Sequence, residues 1–119
     1  MVPFRPRLIE WLKALALGAD EQLLFLKKIG GKDALYLPVD ELALEYYEII
    51  LLLDQYRETA SISPDAERSL RDLNEHFSRF SGRQFEKLWT YNALQESKVW
   101  EAARVKARRC LMLLGEEAH

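Results

Sequence analysis

Three carboxylates recur at one-turn spacing near the middle of the chain, in the pattern that di-metal helical bundles use to bind their ions. Glu41, Glu45 and Glu48 share one face of a predicted helix. Such sites also need Glu-x-x-His pairs on two partner helices, and His76 has a leucine three residues before it. We therefore expect no bound metal or other cofactor, and interpret the acids as a solvated polar face or as a docking face for a basic protein.

The candidate protein-binding surface is this acidic stripe with the two residues that share its face. It comprises Glu41, Glu45, Glu48, Leu52 and Gln55. Reversing the charges of Glu45 and Glu48 is expected to slow association with a basic partner. A ligand carrier or an enzyme would instead need polar groups that converge inside the bundle, for which the candidates are Tyr46, Asp54 and Tyr56.

The remaining reactive side chains have local explanations. His76 lies beside an apolar row and is predicted to be a boundary residue with one nitrogen in water. Cys110, the single cysteine, falls on the apolar face of the last helix and is predicted to be a small core residue. No nucleophile elbow, phosphate loop or dinucleotide fingerprint is present. The chain is therefore predicted not to be an enzyme.

The charge distribution argues against nucleic acid as a partner. The formal charge is −2, and the cations between residues 98 and 109 point in several directions around their helix. Six acids and no bases lie between residues 33 and 54, so these two segments are predicted to be electrostatic neighbours. Val105 and Met112 form a thin second apolar row on the last helix, which makes them a candidate homodimer contact.

Length and composition fit one globular domain over residues 1–119. A composition of 49% hydrophobic and 30% charged residues is ordinary for such a domain. The amino terminus resembles a secretory signal only superficially, because Trp11 and its charged neighbours interrupt the apolar segment. No apolar run approaches the roughly 20 residues of a membrane span. We expect a cytoplasmic protein that does not bind membranes, with residues 115–119 frayed.

The longest helical pattern, residues 39–56, is expected to position the acidic stripe. One apolar row recurs at spacings of three and four, and its members are Leu42, Tyr46, Ile49, Leu53 and Tyr56. A second row is predicted beside it, with the members Leu44, Tyr47 and Leu51. A helix that is apolar nearly all round is normally enclosed by its neighbours. The sequence therefore predicts an all-α, single-domain bundle of four to six helices around a central buried helix at about residues 39–57.

Capping residues define the other predicted helices. A first helix is expected over about residues 5–17, and a third long helix begins at the Ser63-Pro64 pair and ends at Ser81-Gly82. The last third is predicted to be a broken helix, because Thr90 and Ser97 are both capping residues. Its segments are a short helix at 84–89, one turn after Thr90 and a final helix from 98 to 114.

Residues 20–37 admit two interpretations. Asp20 can cap a short helix that ends at Gly30 and Gly31. The same residues can also form two strands joined by the Gly-Gly turn. A lone hairpin is marginally stable in water, which favours the helix.

Three segments resemble a group of small bacterial all-helical proteins without established activity. They are LPVDELALEYYEI, the Ser81-Gly82 pair and LWTYNALQESKVW, within a region of similarity from Leu37 to Gly115. The resemblance implies an immunity-type protein, which neutralises a toxin by binding it, and it assigns no functional residue. The prediction is therefore a non-enzymatic protein-binding module of unknown partner. The alternatives are a small-ligand-binding or enzymatic bundle and, more weakly, a nucleic-acid-binding regulator.

Overall fold

The computed structural model describes residues 3–30 and 39–116, with only the backbone described at residues 29 and 30. Within these ranges all regular elements are helices. In chain order they are α1 (Phe4–Ala16), α2 (Ala19–Gly30), α3 (Glu41–Leu51), α4 (Leu53–Tyr56), α5 (Pro64–Arg79), a 3-10 helix (Arg83–Leu88), α6 (Tyr91–Glu96) and α7 (Lys98–Leu113). The predicted all-α bundle is confirmed.

The bundle is formed by α1, α3, α5 and α7. Helices α1 and α5 each pack against both α3 and α7, and the most extensive contacts are those of α7 with α1 and α5. Helix α2 packs beside α1 and against α6, which in turn contacts α7. The described chain has more than the expected four to six helices because its connecting segments contain short helices of their own.

Side-chain caps divide the last third of the chain where the sequence predicts. The hydroxyl of Thr90 accepts a hydrogen bond from the amide of Ala93, and that of Ser97 accepts one from Val99, each at 3.1 Å. Each cap satisfies an amide that has no partner within its helix, so a new helix begins there. The broken-helix prediction is confirmed.

The carboxyl end of α7 is closed by a glycine cap. Gly115 has a φ of 79°, a conformation that residues with a Cβ rarely adopt. This turn lets the amide of Glu116 donate to the carbonyl of Leu111 at 2.8 Å. Gly115 and Glu116 of the predicted frayed tail are thus joined to the helix, and residues 117–119 lie outside the described range.

The structure of α2 distinguishes the two interpretations of residues 20–37 for the part of them that is described. Residues 19–30 are helical, with Asp20 and Glu21 in the first turn and Lys27 and Lys28 in the last, both favourable to the helix dipole. The helical interpretation is confirmed for these residues. Residues 31–38, which include the rest of the alternative hairpin, lie outside the described ranges.

Helix α3 has one buried apolar face and one exposed apolar face. Leu42, Tyr46 and Ile49 are fully buried, as predicted. Leu44, Tyr47 and Leu51 are instead 52, 45 and 65% exposed, so the expectation that the helix is enclosed nearly all round was wrong. At about 100° per residue, Leu44 lies roughly 200° from Leu42, which places the second row opposite the first rather than beside it.

Candidate protein-binding surface

A groove lies between α3 and α5. Its volume is about 550 Å³. One wall is α3, the other is α5 with the turn and the 3-10 helix that follow it, and the lining residues are Asp40, Ala43, Leu44, Tyr47, Asn74, Phe77, Ser78, Ser81, Gly82, Glu86 and Trp89. The exposed row of α3 thus continues into the groove, because Leu44 and Tyr47 belong to both.

An aromatic cluster supports the groove from below. Phe77 and Trp89, which line the groove, lie 5.6 Å by ring centroids from Trp100, which is buried. The indole N–H of Trp89 donates to the carbonyl of Phe80 at 2.8 Å, and that of Trp100 donates to Leu88 at 2.7 Å. These two bonds attach the 3-10 helix to α5 and α7, so the floor of the groove is fixed by packing and hydrogen bonds together.

The predicted acidic stripe lies on a different face of α3, beside α1. Glu45 pairs with Arg7 of α1 at 2.5 Å, with both side chains about a third exposed. The side chains of Glu41, Glu48 and Gln55 make no ion pair or hydrogen bond within residues 3–30 and 39–116. Leu52, also part of the predicted surface, is half-buried at the irregular turn between α3 and α4. Two of the predicted surface residues, Glu45 and Leu52, therefore contribute to the bundle itself.

The groove contains two carboxylates that the sequence did not single out. Among the described residues that line the groove, Asp40 and Glu86 carry carboxylates and none is a Lys, Arg or His; we call this pair the carboxylate rim. Neither carboxylate forms an ion pair with another described residue. The groove is therefore an apolar surface with a negatively charged edge.

The polar side of the groove formed by α5 and the turn after it was not predicted either. Asn74, Ser78 and Ser81 recur at spacings of four and three beside the buried Phe77. That periodicity marks one stripe along a helix and was available from the sequence. What was missing was the knowledge that α3 leaves this stripe uncovered, which depends on how the two helices pack.

The residues proposed for an internal ligand site do not converge. The hydroxyl of Tyr46 donates to the carbonyl of Leu70 at 2.7 Å, and Tyr56 stacks on Phe4 with ring centroids 5.4 Å apart. Asp54 is exposed and takes part in a ring of ion pairs. The ring alternates acids and bases in the order Asp54, Arg57, Glu67 and Arg71. None of these three residues lines the groove, although Tyr46 packs edge-on against Phe77, which does.

The basic segment of α7 pairs with α5 rather than with the acidic segment around α3. Lys106 contacts Asp72 at 2.6 Å. The predicted neighbourhood with residues 33–54 is not found among the described residues, because α1 and α5 lie between α3 and α7 in the ring of helices. Val105 and Met112, the candidate dimer contact, are 54 and 68% exposed.

A buried polar network inside the bundle was not predicted. The guanidinium of Arg104 donates to Gln22 at 3.0 Å, to Glu101 at 3.2 Å and to the carbonyl of Leu94. The amide of Gln22 in turn donates to two carbonyls at the end of α1, those of Ala14 and Leu15. Arg104 therefore joins α1, α2, α6 and α7 through its partners. Burial lowers its pKa, and the bonded Glu101 counters that effect.

His76 is buried rather than at the boundary. Its Nε2 atom donates to the carbonyl of Val99 at 2.8 Å, since a carbonyl can only accept. Its ring packs edge-on against Phe80 with centroids 5.4 Å apart. The predicted contact with water does not hold for Nε2, because this atom is bonded to Val99 where α5 packs against α7.

Cys110 is a core residue, as predicted, and its thiol should be linked to stability at high pH. Burial raises the pKa of the thiol from 9.0 to about 11, while a contact with Ser69 Oγ at 3.3 Å acts in the opposite direction. Because the folded pKa is the higher one, this stability is present below pH 9 and is lost as the pH rises toward 11. The expected loss is on the order of 3 kcal/mol, since a shift of one pKa unit corresponds to about 1.4 kcal/mol.

The measurement is urea unfolding of the wild type and of Cys110→Ala at pH 8, 9, 10 and 11. The difference between the two free energies of unfolding should change with pH, because only the wild type has the thiol. Lysines and tyrosines titrate in both proteins, so their contributions cancel in the difference. Curves that remain parallel over this range would contradict the prediction.

Among residues 3–30 and 39–116 there is no group of three or more His, Cys, Asp or Glu side chains arranged to hold a metal ion. No helix in those ranges is both long enough and apolar enough to cross a membrane. Comparison of the chain with protein-family models, with curated proteins and with solved structures finds no match.

Proposed function

We propose that this protein is a non-enzymatic protein-binding module whose partner covers the outer face of α3 and the adjoining groove. The observation that carries the proposal is the exposed apolar row, in which Leu44, Tyr47 and Leu51 all project on the side of α3 away from the core. Three large apolar side chains at helical spacing beside a groove form a contiguous surface of the kind that partners bury. A toxin would be one such partner, as the sequence resemblance implies.

The acidic stripe has a supporting role in this proposal. Glu41 and Glu48 lie on the flank of α3 next to the apolar row, with no partner within the described chain. Charges at the rim of an interface raise the association rate of an oppositely charged partner more than they raise its affinity. Glu45 is less suited to that role because Arg7 already neutralises it.

A small organic ligand is the second candidate, because the volume of the groove lies within the range of small-molecule sites. Leu51 distinguishes the two candidates, since it belongs to the exposed row but does not line the groove. A protein that covers the outer face of α3 would lose binding when Leu51 is changed to Glu. A small ligand inside the groove would be indifferent to that change.

The test is affinity capture from the native cell with four forms of the full chain. Tyr47→Glu and Leu51→Glu place a charge in the proposed interface, while Met112→Glu places the same charge on an equally exposed apolar site of α7. We expect one specific partner to be retained by the wild type and by Met112→Glu. Its affinity for Tyr47→Glu should be about thirtyfold weaker, the effect of losing one interface hot spot of about 2 kcal/mol.

Equal retention of every partner by all four proteins would refute the proposed surface. Loss with Met112→Glu alone would assign binding to α7, the face suggested for a homodimer. Once a partner is known, Glu48→Lys should slow its association and leave the free energy of unfolding unchanged.

A further inference from the structure

The charge and shape of the groove define its occupant more narrowly than the proposed function does, and this inference rests on that function. We propose that the groove receives an amphipathic α-helix of a partner protein. Its apolar side chains lie against α3, and its Lys or Arg side chains lie at the carboxylate rim.

The charge of the groove is of one sign. Among the described residues that line it, Asp40 and Glu86 are the only ionisable ones apart from Tyr47, and neither is paired within residues 3–30 and 39–116. Glu48 adds a further unpaired carboxylate on the same helix, one residue from Tyr47. A partner segment with acidic side chains would be repelled here, whereas a segment with basic ones would be attracted.

The spacing of the exposed row fits a helix. Leu44, Tyr47 and Leu51 are three and four residues apart, which is the spacing of the apolar seam between two packed helices. Seven residues of α3 extend over about 10 Å, so two turns of a facing helix would match the row. An extended strand would place alternate side chains about 7 Å apart and would not follow the same register.

The opposite wall allows a helix to approach closely. Three of the residues that α5 and its following turn present there are small, namely Ser78, Ser81 and Gly82, while Phe77 is 5% exposed and belongs to the floor. Gly82 has a φ of 106°, which a residue with a Cβ would rarely adopt. The backbone conformation therefore favours glycine here, so no side chain projects into the groove from this position. Small residues on one side and large ones on the other let the apolar side chains of an incoming helix enter between them.

Aromatic side chains complete the match to a basic helix. Tyr47 and Trp89 both line the groove and are both partly exposed. A guanidinium or ammonium group can stack on such rings while it pairs with a carboxylate. Apolar, aromatic and acidic lining together therefore favour a helix that carries both leucine-like and basic side chains.

The inference can be tested before any partner is known, by selecting peptides that bind the groove. A displayed library of random 16-residue peptides is selected on the full chain, and peptides retained equally by Ser78→Trp are subtracted. The new indole occupies the groove from the exposed side of α5, and Glu75→Trp, on the same helix outside the groove, is the matched control. We expect the remaining peptides to carry apolar residues three and four positions apart and an excess of Lys and Arg. They should bind about fivefold more weakly to Asp40→Asn/Glu86→Gln, as expected for two exposed ion pairs.

The inference would be overturned if the groove-dependent peptides were acidic or lacked the helical spacing. It would also be overturned if no peptide bound differently to Ser78→Trp and Glu75→Trp. Dimerisation of the wild type in sedimentation equilibrium, abolished by Ser78→Trp, would also overturn it by assigning the groove to a second copy. These results are separate from the capture experiment. A native partner lost with Tyr47→Glu keeps the proposed function even if the selected peptides are not basic helices.

Discussion

Trp100→Ala should lower the free energy of unfolding by about 4 kcal/mol, the typical effect of truncating a buried tryptophan. Trp100 is 2% exposed and packs against Phe77 and Trp89. Its indole N–H also holds the carbonyl of Leu88, the last residue of the 3-10 helix. The substitution would leave a cavity beneath the groove and a partly buried carbonyl without its donor, so both the core and the groove floor would be weakened.

Two variants make this expectation measurable by urea unfolding. Trp100→Phe keeps most of the ring and removes the N–H, and should cost about 1–2 kcal/mol. Met112→Ala truncates an apolar side chain that is 68% exposed and should change stability by less than about 0.5 kcal/mol. A loss below about 2 kcal/mol for Trp100→Ala would show that this aromatic cluster does not hold the bundle together.

Arg104→Ala has the second largest expected effect, a loss of about 3 kcal/mol in the free energy of unfolding. The side chain is 4% exposed, and its guanidinium donates to Gln22, Glu101 and Leu94. Removing it leaves the carbonyl of Leu94 and the amide oxygen of Gln22 in the interior without a donor. Unsatisfied buried groups, more than the lost attraction itself, account for a penalty of this size.

Arg108 provides the matched control, because it is an exposed arginine one turn farther along α7. Arg108→Ala should stay within about 0.5 kcal/mol of the wild type in urea unfolding. In a double-mutant cycle, Arg104→Ala and Gln22→Ala should be coupled by more than about 1 kcal/mol, since the two side chains share one network. Additive effects would mean that Gln22 stabilises the end of α1 independently of Arg104.

The helices could be predicted because their causes are local. Ser63, Thr90 and Ser97 begin helices through their own hydroxyl groups, and Gly115 ends one through its own backbone conformation. The existence of two apolar rows on α3 likewise follows from the spacing of its apolar residues. None of these features depends on which helices become neighbours.

The groove and the buried network could not be predicted because their causes are not local. Leu44 and Tyr47 carry the same apolar signal as Leu42 and Tyr46, and only the arrangement of the other helices decides which row is covered. Arg104 looks like the other cations of its helix, and its burial depends on Gln22, which is 82 residues away in sequence. The acidic residues were placed correctly on one face of α3, but the pairing of Glu45 with Arg7 required knowledge of α1.

The ion-pair ring of Asp54, Arg57, Glu67 and Arg71 gives one corner of the bundle a distinct character. Each charge in it has two neighbours of opposite sign; Asp54 is largely open to water, and Arg57 and Arg71 are partly exposed. Mobile ions weaken attractions between such exposed charges, but leave the leucine and tryptophan core unaffected. The junction of α4 with α5 should therefore loosen first in concentrated electrolyte, while the packing of α7 against α1 and α5 stays intact.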